Sequence, residues 1–124
     1  MESRSYNLEE RLIKFAVMIL RIAEEFPSTY AGKHLSGQIT RSGTSPALNY
    51  GEAQGGESHN DFLHKIKICL KELRETQVAL KIAADVPMLS PEKIAPVLKE
   101  CSELVAIFTA SVKTGEARKR QNVK

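Results

Sequence analysis

The chain has 124 residues, enough for one domain that buries roughly two-thirds of its unfolded surface around a single core. With 42% hydrophobic and 27% charged residues, it is neither a charge-driven disordered chain nor a membrane protein; with no Trp and 6% aromatics, it lacks the stacking platforms of most single-strand nucleic-acid readers. The net charge of +3 matches residues 116–124 alone, where Arg118, Lys119, Arg120 and Lys124 stand against Glu116 (4 − 1 = +3), so the body is neutral overall.

Asn7 with Glu10 reads as a helix start, and Leu8, Leu12, Phe15, Ile19, Ile22 and Phe26 then recur every three or four residues up to Pro27. Ser28 or Thr29 caps a second helix with Leu35, Ile39, Tyr50 and Ala53 on its apolar side. Pro46 in its middle removes one amide and predicts a kink or break. Gly55 and Gly56 end that segment. Ser58 with Asp61 opens the third helix, whose apolar positions are Phe62, Ile66, Cys69, Leu70, Leu73, Leu80 and Ala84, and Pro87 closes it. Ser90-Pro91 starts the fourth, with Ile94, Val97, Leu98, Cys101, Leu104, Val105, Phe108 and Val112 apolar, Pro96 disturbing its first turn, and Gly115 as its stop.

Four amphipathic segments joined by short loops, without strand-like alternation, predict an all-α fold: an antiparallel up-down-up-down four-helix bundle with helix 2 kinked or interrupted near Pro46. Residues 1–115 form the bundle and 116–124 a basic, disordered tail. Cys69 and Cys101 lack the spacing of a zinc or redox site and read as reduced core thiols. The first apolar run is broken by Lys14 and is no leader or membrane span, so the chain is expected in the cytoplasm and away from membranes.

On a helical wheel, Gln38, Arg41, Ser45, Asn49 and Glu52 share an arc of roughly 80° opposite the apolar side of helix 2. Such a stripe is either a solvated face, a hydrogen-bonded network buried at a subunit contact, or a ligand-binding surface. Glu72 on helix 3 lies one residue from the apolar Leu73, and Arg41, a bidentate donor, is expected to pair with Glu72, Glu75 or Glu52 across packed helices. Metal chemistry of the di-iron type requires two Glu-x-x-His motifs; Asp61-x-x-His64 supplies half of one, with the wrong acid. Gly51, Gly55 and Gly56 do not end in the G-K-[ST] of a phosphate loop, and Gly43-Thr44-Ser45-Pro46 is no nucleophile elbow. No catalytic, cofactor-binding or metal-binding residue is assigned.

The run Gln38-Ile39-Thr40-Arg41-Ser42-Gly43-Thr44-Ser45-Pro46-Ala47-Leu48-Asn49-Tyr50-Gly51-Glu52-Ala53 resembles the bacterial four-helix-bundle proteins encoded in intervening sequences of large-subunit ribosomal RNA genes. The likeness extends through Phe26-Pro27, Ser58, Asp61-Phe62, His64-Lys65, Leu70-Lys71-Glu72-Leu73 and Glu75. The resemblance implies homopentamers, and it includes a relative, the accessory variability determinant of diversity-generating retroelements, that binds reverse transcriptase and nucleic acid. It also makes Arg41, Ser45, Asn49, Glu52 and Glu72 characteristic polar positions. The chain departs from the commoner pattern at Pro46 and Tyr50-Gly51, and from the retroelement protein in lacking a basic body.

The expected function is therefore a non-catalytic homo-oligomer, most simply a pentamer, in which Gly37, Ser42, Gly43 and Ala47 permit close helix approach and another surface engages RNA or an RNA-associated protein. RNA affinity is expected from Arg118, Lys119, Arg120 and Lys124 and should vanish on truncation after Gly115. The competing reading is an enzymatic or ligand-binding bundle built on Arg41, Asn49, Glu52 and Glu72.

Overall fold

A computed structural model describes residues 4–56 and 58–122. Its helices are α1 (Arg4–Ala23), α2 (Tyr30–Gln54), α3 (His59–Asp85) and α4 (Pro91–Asn122). Each helix packs on its neighbours in the chain, and α1 and α4 close the ring, so the all-α four-helix bundle is the fold of this protein. Short loops make successive helices antiparallel.

Local chemistry explains most of the boundaries. Thr29 caps α2 by accepting from Gly32 N at 3.0 Å, and Ser58 caps α3 by accepting from Asp61 N at 3.0 Å. Gly55 closes α2, its amide donating to Glu52 O at 3.1 Å. Pro91 occupies the first position of α4, where its missing amide costs nothing. α1 begins upstream of Asn7, which lies inside the helix and is not its cap, and ends at Ala23 in a turn held by Glu25 N→Ile22 O and Phe26 N→Ala23 O.

Neither internal proline interrupts its helix. α2 runs as one element through Pro46, and α4 through Pro96. Pro46 is buried and its carbonyl accepts the Cys69 thiol at 3.4 Å, so the α2–α3 contact fastens the helix where its own ladder lacks a rung. Gly115 does not end α4 either. It touches α3: a Cβ there would lie 2.6 Å from Leu63 Cδ1, and its carbonyl accepts from His59 Nε2 at 3.0 Å. The helix continues to Asn122, and residues 116–122 are helical in place of the expected irregular tail; Lys124 lies outside the described residues.

The core is built from Leu12, Phe15 and Ile19 of α1, Ile39 and Tyr50 of α2, Ile66, Leu73 and Leu80 of α3, and Ile94, Leu104 and Phe108 of α4. The Tyr50 and Phe108 rings meet edge to face at 6.0 Å and 82°. One expected position is displaced: Phe62 is exposed, and Leu63 fills the buried site beside it.

Candidate functional site

The polar stripe of α2 lies along α3. Arg41 is the bridge between the helices: Nη1 donates to Glu72 Oε2 at 3.1 Å and Nη2 to Glu75 Oε1 at 3.3 Å. Gln38 Nε2 donates to the same Glu75 oxygen at 3.3 Å. The Glu72 side chain is 8% exposed and that of Arg41 is 60% exposed. The guanidinium thus caps a buried carboxylate from the solvent side and offsets part of its desolvation.

Behind this ion pair stands a hydroxyl pair absent from the stripe read in the sequence. Ser42 Oγ and Thr76 Oγ1 are 2.7 Å apart and fully buried, and Thr76 Oγ1 donates to Glu72 O at 2.9 Å, which leaves Ser42 as donor to Thr76. Every polar atom of that contact is satisfied within the seam. Thr76 sits three residues from Leu73 and four from Leu80, a spacing that marks it as inward-facing.

The other stripe residues go elsewhere. Asn49 Nδ2 donates to Ser45 O at 3.1 Å and Ser45 Oγ at 2.9 Å, one turn back on α2. Glu52 accepts Lys65 Nζ at 2.6 Å on the surface. At about 1.5 Å of rise per residue, Arg41 and Glu52 are about 16 Å apart along the helix. Arg41, Asn49, Glu52 and Glu72 therefore do not surround one point. They form a seam, not a concave site.

The small residues divide likewise. Gly43 is spent inside the chain, where a Cβ would lie 2.7 Å from Ile19 Cγ1, and Ser42 is spent on Thr76. Gly37 faces open space in an open α1–α2 groove whose lining mixes Leu20, Ala23, Thr40 and Thr44 with the charged Glu24, Lys33 and Arg41. A second interhelical lock, unforeseen in the sequence, closes α1 on α4: Arg11 Nε and Nη2 grip Glu100 at 3.0 and 2.7 Å, and Nη2 also reaches Glu103 at 3.1 Å.

The thiols are free and buried; Cys101 Sγ donates to Leu73 O at 3.3 Å. Burial pushes Cys69 and Cys101 up to about 12. At the far end of α4, Lys67 pairs with Glu116. That bond, with Lys119 and Arg120 nearby, holds the Glu116 carboxyl below its ordinary range. Arg118, Lys119 and Arg120 are exposed on the last turns of the helix. Among the described residues, no group of three His, Cys, Asp or Glu side chains is placed to hold a metal, and no helix is long and apolar enough to cross a membrane.

Comparison with known proteins finds both a family and a solved relative. The model of the family described as 23S rRNA-intervening sequence protein matches residues 5–110. The crystal structure of a protein of unknown function from the S23 ribosomal protein family of Bacteroides thetaiotaomicron superposes with a TM-score of 0.79 at 27% identity, covering 86% of this chain and 98% of that one. Among curated proteins nothing matches.

Proposed function

The chain belongs to the 23S rRNA-intervening sequence protein family, and from that premise we propose that it is a non-catalytic module that assembles with copies of itself and presents a further surface to an RNA or RNA-associated partner. One observation carries the assembly reading: Ile13, Val17 and Leu20 stand 50%, 41% and 46% exposed on successive turns of α1, and Leu48 of α2 is 68% exposed. Gly37, Thr40 and Thr44 continue the same side of the bundle beside Leu20, with Glu24, Lys33 and Arg41 at its border. Four large apolar side chains clustered on one face mark a contact with another macromolecule, and a second copy is the partner that family resemblance supplies, with five subunits as its size. The enzymatic alternative is disfavoured because its four polar residues bond to neighbours along a seam and do not converge. Free thiols at Cys69 and Cys101 fit the reducing cytoplasm.

Light scattering tests the proposal. The native chain should run well above one 13.8 kDa subunit, and Val17→Glu/Leu48→Glu should fall to that subunit mass while keeping its helical circular dichroism. A native protein that holds the single-subunit mass at every concentration overturns the reading.

A further inference from the structure

The opposite side of the bundle, between α3 and α4, carries its own pattern. Lys67 reaches α4 through Glu116, and Gln77 Nε2 donates to Ser102 Oγ at 3.0 Å, so both residues mark the rim of α3 that borders α4. Arg74 and Lys81 follow Lys67 at steps of seven residues, which returns them to that rim with only about 20° of drift per step. On α4 the same contacts mark Ser102 and Glu116 as the rim facing α3. Lys99 and Lys113 precede these two by three residues, and Arg120 follows Glu116 by four, so all three share that edge. The structure thus sets two antiparallel rows, Lys67–Arg74–Lys81 and Lys99–Lys113–Arg120, along the two sides of one interhelical groove, and all six side chains are exposed.

Four acids of these helices are drawn away from the groove. Arg41 takes Glu72 and Glu75 to the α2 side, and Arg11 takes Glu100 and Glu103 to the α1 side. Asp61 sits in the first turn of α3; Asp85 follows Lys81 by four residues and Glu92 precedes Lys99 by seven, so these two continue the same edges just beyond the rows, at the end of the groove next to the α3–α4 loop. Glu116, bound to Lys67, is the acid left between the rows. Among the described residues, Arg74, Lys81, Lys99, Lys113 and Arg120 form no ion pair. A neutral body thereby presents a basic face, because charge is segregated by the bundle and not by the sequence.

We propose that this α3–α4 groove binds nucleic acid by its phosphate backbone. The cations of α3 repeat about every 10 Å and those of α4 stand about 21 and 10 Å apart, on helices packed about 10 Å from one another, so the two rows line a basic track that fits a linear polyanion. A protein partner would present discrete acidic spots around an apolar centre, whereas the groove between the rows holds the bonded Gln77–Ser102 pair, and the exposed Val78 and Ile82 lie by helix phase on the outer side of the α3 row, away from α4. No aromatic side chain lies in either row, so recognition is of phosphate and not of stacked bases, and binding is sequence-tolerant and salt-dependent. The inference deepens the RNA side of the proposed function and needs no self-assembly.

Labelled 20-nucleotide polyuridine, titrated into the full chain at several salt concentrations, tests it. Arg74→Gln/Lys113→Gln should flatten the log–log salt slope by about 1.4 and weaken binding roughly 25-fold at 0.1 M salt, by counterion release at about 0.7 per phosphate. Lys14→Gln/Arg21→Gln on α1 removes the same charge elsewhere and should leave affinity within about twofold. Glu116→Gln should tighten binding more than the equal charge change Glu24→Gln. Truncation after Gly115 should weaken binding without abolishing it, since five of the six cations remain. The proposal is overturned if the two double variants weaken binding equally, if truncation abolishes it, if no polyuridine binds, or if polyglutamate of the same length binds as tightly. Light scattering on the same samples separates this outcome from a failure of self-assembly.

Discussion

Arg41 is the residue whose removal is most informative. Its guanidinium is largely in water, yet the carboxylate it covers is not, so the pair belongs to neither limiting case of surface or buried ion pairs. Truncation leaves Glu72 with its carboxylate buried and its charged donor gone. Arg41→Ala should therefore cost about 1–3 kcal/mol, the penalty of an unsatisfied buried acceptor, and Arg41→Ala/Glu72→Gln should recover much of it by removing the charge. Urea melts of the three proteins read this directly. A midpoint unchanged in Arg41→Ala would show that water alone satisfies Glu72. Arg41 was legible in the sequence as the donor to Glu72, Glu75 or Glu52, from residue type and helix phase; the packing of α2 on α3 selected Glu72 and Glu75 and left Glu52 to Lys65. Ser42 and Thr76 were not, since a hydroxyl amid apolar residues reads as a small filler until its partner on another helix is known.

Among the elements, the glycines show that one residue type serves different ends. Gly32 lies in the first turn of α2, directly against the chain that enters it: a Cβ there would sit 2.1 Å from Pro27 O. That atom is backbone and cannot rotate away. Gly115 has a contact of 2.6 Å as well, but with the end of the Leu63 side chain. Gly32→Ala should accordingly cost about 3 kcal/mol, the upper part of the overpacking range. Gly115→Ala should stay within about 1 kcal/mol of wild type, because Leu63 can turn and alanine gains about 1 kcal/mol of helix propensity. Thermal or urea denaturation ranks the two. The same contrast explains why Gly115 reads as a stop in the sequence and is none in the fold: glycine ends a helix when the chain takes a left-handed turn, and no glycine here has positive φ. Its role at 115 is to let α3 approach, with His59 and the Lys67–Glu116 pair holding the extended helix in place.

At the scale of the whole molecule, the buried thiols couple stability to alkaline pH. Cys69 and Cys101 keep their protons in the fold until about 12, against an ordinary 9.0. Between these values the unfolded chain has released protons that the folded chain retains, so raising pH favours unfolding. The thiol contribution is full below pH 9 and is lost as pH rises toward 12. Urea midpoints taken from pH 8 to pH 10.5 should fall more steeply for the native chain than for Cys69→Ala/Cys101→Ala, which corrects for lysine and tyrosine titration. The same burial predicts that a thiol reagent at pH 8 labels the folded protein slowly and both cysteines at once when it unfolds. Rapid labelling of the native state would contradict the packing of α3 on α4.

The local determinants of this protein lie in its sequence alone: four apolar periodicities, caps at Ser28-Thr29 and Ser58, Pro91 at a helix start, and the polar stripe of α2 that carries Arg41. Each depends on interactions within a few residues or on the phase of a single helix, which the order of residues settles. Tertiary structure decided what depends on a neighbour. Docking on α3 holds Pro46 and Gly115 inside continuous helices, the approach of α4 places Leu63 and not Phe62 inward, and Arg11 and Arg41 draw the acids of α3 and α4 to opposite seams. Net charge is a sum and carries no position, so a chain neutral over its body shows a basic face only after its helices have been set side by side.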